Sequence, residues 1–143
     1  MPANTTPIFS LTPANRWSTV MNAANTGNVS GTTSYLVFSA GTNGSYVQKI
    51  RFRHIPNTAT ANTNATVGRV WINNGSAVTN GANNTLFDEI TIAANTTSSV
   101  AASINYELPL NFALPPNYAL YVTLGTAPVA GTFIQATVIG GDY

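Results

Sequence analysis

The chain contains no cysteine and only one histidine among its 143 residues. Disulfides, thiolate metal sites and cysteine nucleophiles are thereby excluded, and a zinc site needs several imidazole or thiolate ligands that such a chain cannot supply. Charge is nearly as scarce. Five basic and four acidic residues make up 6% of the chain, against roughly a quarter in an ordinary soluble domain. The formal net charge of +1 gives no long-range pull towards nucleic acid or acidic lipid. The few acids offer little for general acid and base catalysis: Asp88 and Glu89 are adjacent, so on a strand they point to opposite faces, and Glu107 and Asp142 have no evident partners. A serine nucleophile needs a base within reach, which would have to be His54, and no glycine elbow surrounds any serine. His54 itself, on a strand beside Arg53, reads as a structural or rim residue. The chain is expected to have no catalytic, cofactor or metal site. No run approaches the ~20 apolar residues of a membrane helix. The N-terminal MPANTTPIFSLTPAN lacks the basic head and apolar run of a secretory signal, so synthesis in a cytosol without a membrane partner is expected.

What is present is an apolar fraction of 44%, enough to fill one sizeable core in a chain of single-domain length. The polar side is Asn, Thr, Ser and Gly. Such a surface has little charge repulsion to keep neighbours apart, so it tolerates close association. Asn43, Asn64 and Asn74 open Asn-X-Ser/Thr triplets, a pattern that composition alone supplies in a chain this rich in Asn and Thr.

The chain is organised around Tyr35 to Ile55, which reads as two antiparallel strands joined by a turn at Ala40 to Ser45, with Asn43 and Gly44 suited to left-handed backbone. Alternation places Tyr46, Gln48, Ile50 and Phe52 on one face and Val47, Lys49, Arg51 and Arg53 on the other. One sheet is expected to grow from this ribbon. Residues 1–15, with three prolines, read as an arm without a core of its own, and residues 16–143 as the domain. Between Asn15 and Asn22 a capped helix starting at Thr12-Pro13 competes with a strand; alternation of Trp17, Thr19 and Met21 favours the strand. Further strands are expected at Thr66 to Ile72, with Val67, Arg69 and Trp71 opposite Gly68, Val70 and Ile72; at Leu86 to Ile92, with Leu86, Ile90 and Ile92 on one face; and at Ile104 to Phe112. Pro109 cannot donate a ladder hydrogen bond, which assigns that last strand to a sheet edge or a bulge. Tyr118, Leu120, Val122 and Leu124 face inwards on the next, and Phe133 to Ile139 closes the domain before Gly140 and Gly141. Polar stretches at Pro56 to Ala65 and Asn73 to Thr85 supply two long crossings.

Short strands, Gly, Pro and Asn turns and no convincing helix predict an all-β fold: a two-sheet antiparallel sandwich of jelly-roll type with an extended N-terminal arm, or an immunoglobulin-like sandwich, between which the residues do not decide. Lys49, Arg51, Arg53 and Arg69 would form a basic strip, if their strands lie side by side, that is either a solvated face or a surface for carboxylates of a partner protein. Too few charges are present to neutralise many phosphates, which argues against nucleic acid. Ile8, Phe9 and Leu11 are the bulky apolar cluster of the arm and are expected to bury against a neighbouring subunit or another partner. Exposed aromatics on a sandwich can also carry sugars, with Trp17, Tyr46, Trp71 and Tyr121 as candidates.

The segments Phe38 to Phe52 (FSAGTNGSYVQKIRF), Arg69 to Gly75 (RVWINNG), Phe87 to Ile92 (FDEITI), Glu107 to Pro115 (ELPLNFALP) and Tyr118 to Tyr143, ending IGGDY, occur in an order that resembles a group of small phage proteins associated with the virion. The likeness covers roughly the last three quarters of the chain and leaves out the arm before Asn22. It implies a virion structural protein assembled in the host cytoplasm, and its recurrent residues are turn formers and strand cores. The expectation is a non-enzymatic protein that decorates or cements the capsid, with a head-tail or tail component and a glycan-binding module as alternatives. Its expected partners are the major capsid protein or another virion protein, and copies of itself, as a homotrimer by analogy with other capsid decorations.

Overall fold

The computed structural model describes residues 10–25, 27, 33–56 and 60–143. The strands are β1 (Thr12–Trp17), β2 (Tyr35–Ser39), β3 (Ser45–Pro56), β4 (Thr60–Asn62), β5 (Thr66–Asn73), β6 (Asn84–Ile92), β7 (Thr96–Ser98), β8 (Asn105–Leu114), β9 (Ala119–Leu124) and β10 (Thr132–Asp142). Two antiparallel sheets, β1-β10-β3-β8 and β2-β9-β5-β6, pack as a sandwich, and β4 and β7 form a separate two-stranded ribbon. Because side chains alternate across a strand, each sheet has one apolar face that needs a cover, and the other sheet provides it. The shared core holds Phe38, Leu120, Val122 and Val70 from one sheet and Ile50, Phe52, Leu114, Ile134 and Val138 from the other. Burying such a side chain contributes about 1.5–3 kcal/mol. Gly68 makes room for one of them: a Cβ there would stand 3.1 Å from the Phe52 ring and from Ile92 Cδ1.

The Tyr35 to Ile55 stretch is not a hairpin. β2 pairs with β9 and β3 with β10 and β8, so the turn at Gly41 to Gly44 arches from one sheet to the other, with Gly44 at φ +90°. Val37 and Phe38 are both buried, next to a shift in register against β9. A β2 with two core-facing neighbours fits opposite β3 better than beside it. Among the described strands the β5 to β6 link, Asn73 to Thr85, joins neighbours within a sheet and is not the crossing expected of it; every other link between the long strands crosses, Pro56 to Ala65 among them.

Two bulges overturn assigned faces. In β3, Val47 is opposite Gly140 and Lys49 opposite Ile139, which leaves Gln48 as an extra residue against β10. Val47 therefore enters the core with Ile50 and Phe52, while Tyr46 and Gln48 face outwards; an inserted residue inverts the alternation beyond it. β8 carries its own extra residue at the same place, beside Asn111 at φ 50°. In β6, Phe87 is the extra residue between the Val70–Asp88 and Trp71–Leu86 pairs, which turns Leu86 to the outer face with Trp71. β8 is an edge strand and its Pro109 adjoins the bulge, so both readings of that proline hold.

β1 is a strand and not a capped helix. It begins at Thr12, so residues 12–15 pair with β10. β10 itself runs through Gly140 and Gly141 to Asp142, past the expected stop. Met21 is fully buried and bridges Ile134, whereas Trp17 is 66% exposed, so the two do not share one face. The Asn73 to Thr85 loop binds itself through amides: Asn73 Nδ2 donates to Asn84 Oδ1 at 2.7 Å, and Asn84 Nδ2 donates to the Val78 and Asn80 carbonyls at 2.9 and 2.8 Å. Asn-rich composition here satisfies loop backbone that no sheet reaches.

Side-chain contacts bridge the two sheets on each open side of the sandwich. On the β1/β2 side, Arg16 lies over the Phe38 ring at 4.7 Å, donates to the Ser39 carbonyl, and pairs with Asp142 at 2.8 Å. On the β6/β8 side, the Phe87 and Phe112 rings meet at 4.6 Å between centroids.

Candidate functional site

The outer face of the β2-β9-β5-β6 sheet carries a continuous apolar row. Register places Leu36 opposite Tyr121, Tyr121 opposite Trp71, and Trp71 opposite Leu86, so the four side chains cross all four strands in one line. Directly opposed residues on one face of an antiparallel pair lie about 4.5–5.5 Å apart at Cβ, close enough to form one surface. Leu36 and Leu86 are 46% and 45% exposed. Trp71 is held in place by its Nε1–H, which donates to Thr123 Oγ1 at 3.0 Å and covers that buried hydroxyl. At the β2 end the row turns the corner, since Leu36 and Trp17 line the same shallow depression. At its flank, Arg69 Nε donates to Glu89 Oε2 at 3.3 Å.

The opposite outer face, of β1-β10-β3-β8, is basic. Lys49, Arg51 and Arg53 stand on β3, Arg69 on β5 of the other sheet, so the four basic residues do not form one strip. Lys49 Nζ and Arg51 Nε both donate to Glu107, at 2.8 and 2.9 Å. Those hydrogen bonds, Lys49's first and then Arg51's, hold the Glu107 carboxyl below its ordinary range. Arg53 has no ion-pair partner among the described residues. Tyr46 lies on this face too, its Oη donating to Asn111 Oδ1 at 3.2 Å.

Beside Arg51 and Arg53 the segment after β7 folds over the sheet and makes a cleft of about 410 Å³. Arg51, Arg53, Gln135 and Thr137 form its floor, Ser98 and Ser103 part of its wall, and among the described residues no acidic side chain lines it. Gln135 is fixed by donating its Nε2–H to the Ser18 carbonyl at 3.0 Å.

His54 points the other way, into the core, where it is 1% exposed and meets Tyr106 edge to face at 6.3 Å. Burial lowers its pKa. The Ala93 carbonyl opposes that shift, but it accepts from Tyr106 Oη at 3.1 Å and neither imidazole nitrogen has a hydrogen-bond partner among the described residues. His54 is thus a neutral core residue. Among the described residues no three His, Cys, Asp or Glu side chains gather as metal ligands, and no helix is long and apolar enough to cross a membrane.

Of the arm residues, Ile8 and Phe9 lie outside the described residues, and Leu11 is 83% exposed. The aromatic candidates divide between faces: Trp71 and Tyr121 are brought together, Tyr46 is on the other sheet, and Trp17 stands at the β1/β2 edge. Leu36 and Leu86 escaped notice, Leu86 because the Phe87 bulge hides its parity. Gln135, Thr137, Ser98 and Ser103 carry no pattern that links them along the chain. No family model, curated protein or solved structure matches the chain.

Proposed function

We propose that this chain is a non-enzymatic structural protein of a phage particle, decorating or cementing the capsid by docking the outer face of the β2-β9-β5-β6 sheet on the shell. The row Leu36, Tyr121, Trp71, Leu86 carries the proposal. A line of large apolar side chains across a whole sheet, exposed at Leu36 and Leu86 and partly exposed at Tyr121 and Trp71, is what a packing surface supplies, and aromatics are enriched where interfaces concentrate their binding energy. The low charge removes a barrier to dense packing, and the virion-like order of segments agrees with this role. The strand order favours a jelly roll: with the β4–β7 ribbon set aside, the eight long strands run first, last, third and sixth in one sheet, and second, seventh, fourth and fifth in the other. Capsid proteins use that architecture, an argument by analogy of fold alone.

The major capsid protein is the proposed partner, and the virion, after assembly in the host cytoplasm, the proposed location. A homotrimer, with Met1 to Thr12 laid over a neighbouring subunit or the shell, would repeat a weak contact and gain avidity on the shell. The test is to locate the protein in purified particles and to bind it back to stripped ones. Wild-type chain is expected on the shell, and a Leu36→Ser, Leu86→Ser variant with unchanged circular dichroism is expected to lose most of its occupancy. Absence from the virion would end the proposal, and signal confined to the neck or tail would move it to a head-tail or tail component.

A further inference from the structure

We infer that the cleft between the outer face of β3 and β10 and the segment at Ser98 to Ser103 is a binding site for a carboxylate-bearing saccharide. Three of the chain's five basic residues, Lys49, Arg51 and Arg53, stand on this one rib against a single acid, Glu107. A local excess of positive charge is therefore concentrated here, on a chain whose net charge is +1. Arg53 is exposed and unpaired among the described residues, and Arg51 engages only its Nε. Residues two apart on a strand point to the same side, about 6.6 Å from each other, so the two guanidinium groups flank one space. A guanidinium binds a planar carboxylate through two parallel N–H donors.

The remaining walls decide the rest of the ligand. Gln135, Thr137, Ser98 and Ser103 offer an amide and three hydroxyls, each able to donate and accept, which matches the alternating demands of sugar hydroxyls. The volume of 410 Å³ falls at the lower end of the ~300–1,000 Å³ range of small-molecule sites. Ile55, Pro56 and Ala101 complete the lining, and His54 borders it with its ring buried. The donor-and-acceptor groups beside the two guanidinium groups are why a saccharide is favoured over an acidic protein segment, and hexaglutamate in the test stands for the latter. The cleft opens from the sheet face opposite the proposed shell contact, so both could be occupied together, yet neither depends on the other.

The test is calorimetric titration of the isolated full chain with trigalacturonate, 3′-sialyllactose, lactose and hexaglutamate. At least one acidic sugar is expected to bind at least tenfold more tightly than lactose or hexaglutamate. Arg53→Gln and, separately, Ala101→Trp, which fills the cleft from its loop side, are expected to weaken that binding at least tenfold while leaving the thermal midpoint within a few degrees. Amide shifts of the wild-type chain should change at Arg53, Ser103, Gln135 and Thr137, a readout that needs no variant to fold. The inference is overturned if neither acidic sugar outbinds lactose, if both variants retain binding, if the shifts fall elsewhere, or if hexaglutamate binds as well as the sugars. Particles play no part in the measurement, so its failure leaves the shell contact untouched.

Discussion

Arg16 and Asp142, far apart in the chain, meet at 2.8 Å where the first strand lies beside the last. The pair does more than join two neighbours in one sheet. Asp142 also accepts from Ser45 Oγ at 2.5 Å, and Arg16 reaches over to the Ser39 carbonyl and the Phe38 ring of the other sheet. One half-exposed guanidinium thus bridges the two sheets on the β1/β2 side of the sandwich.

Replacing Arg16 by Met keeps the stem and removes the charge, leaving Asp142 and the Ser39 carbonyl without it. The expected cost is about 1–2 kcal/mol, between the value of an exposed ion pair and that of a hydrogen bond to a charged group. Urea unfolding should show a lower midpoint with an unchanged slope.

His54 makes stability depend on pH near neutrality. Its folded pKa lies below its unfolded value of about 6.5, so between the two the unfolded chain binds the extra proton and the folded chain does not. Stability therefore falls as pH drops below about 6.5. His54→Leu should flatten that part of the profile in thermal unfolding from pH 8 to 5.

Glu107 acts at lower pH. Its carboxyl is held below its ordinary value by Lys49 and Arg51, so its contribution is complete above about 4.5 and is lost as pH falls through the folded pKa. The side chain is exposed and the pairs are screened by salt. Glu107→Gln should remove a small acid limb of the stability profile, and 1 M salt should shrink the same limb in the wild type.

Gly140 sits where β10 steps past the Gln48 bulge, and a Cβ there would collide with the Tyr46 carbonyl oxygen. Gly140→Ala is expected to cost about 1–3 kcal/mol or more through forced backbone movement. Gly27→Ala, where nothing among the described residues lies within 4 Å, is the control. Chemical denaturation of both variants checks the contrast.

The strands were legible wherever the alternation was unbroken. In β5, Val67, Arg69 and Trp71 face out as their spacing implies, and Leu120, Val122 and Leu124 of β9 face in. Legibility failed at Gln48 and Phe87, because an inserted residue of ordinary type leaves no mark in composition while it inverts every face beyond it. Pairing partners were also hidden. Asn43-Gly44 has the chemistry of a hairpin turn, but the same left-handed glycine serves an arch, and only packing across the core chooses between them. Trp71 and Tyr121 were visible singly as surface aromatics; that they oppose each other follows from the β5–β9 register. The cleft depends on a loop folded over a distant rib, which no local pattern encodes.

β10 occupies the interior of its sheet, between β1 and β3. On the ribosome the first strand emerges with no mate, and the third lacks one of its two, until nearly the whole domain has been translated. At about 5–20 residues per second, that wait lasts many seconds, during which one edge of β3 stays unpaired. The nascent chain therefore cannot mature piece by piece. Its sheet closes in a late, concerted event dominated by long-range pairing, which is intrinsically slow, and until then the half-made protein carries unpaired strand edges that invite aggregation.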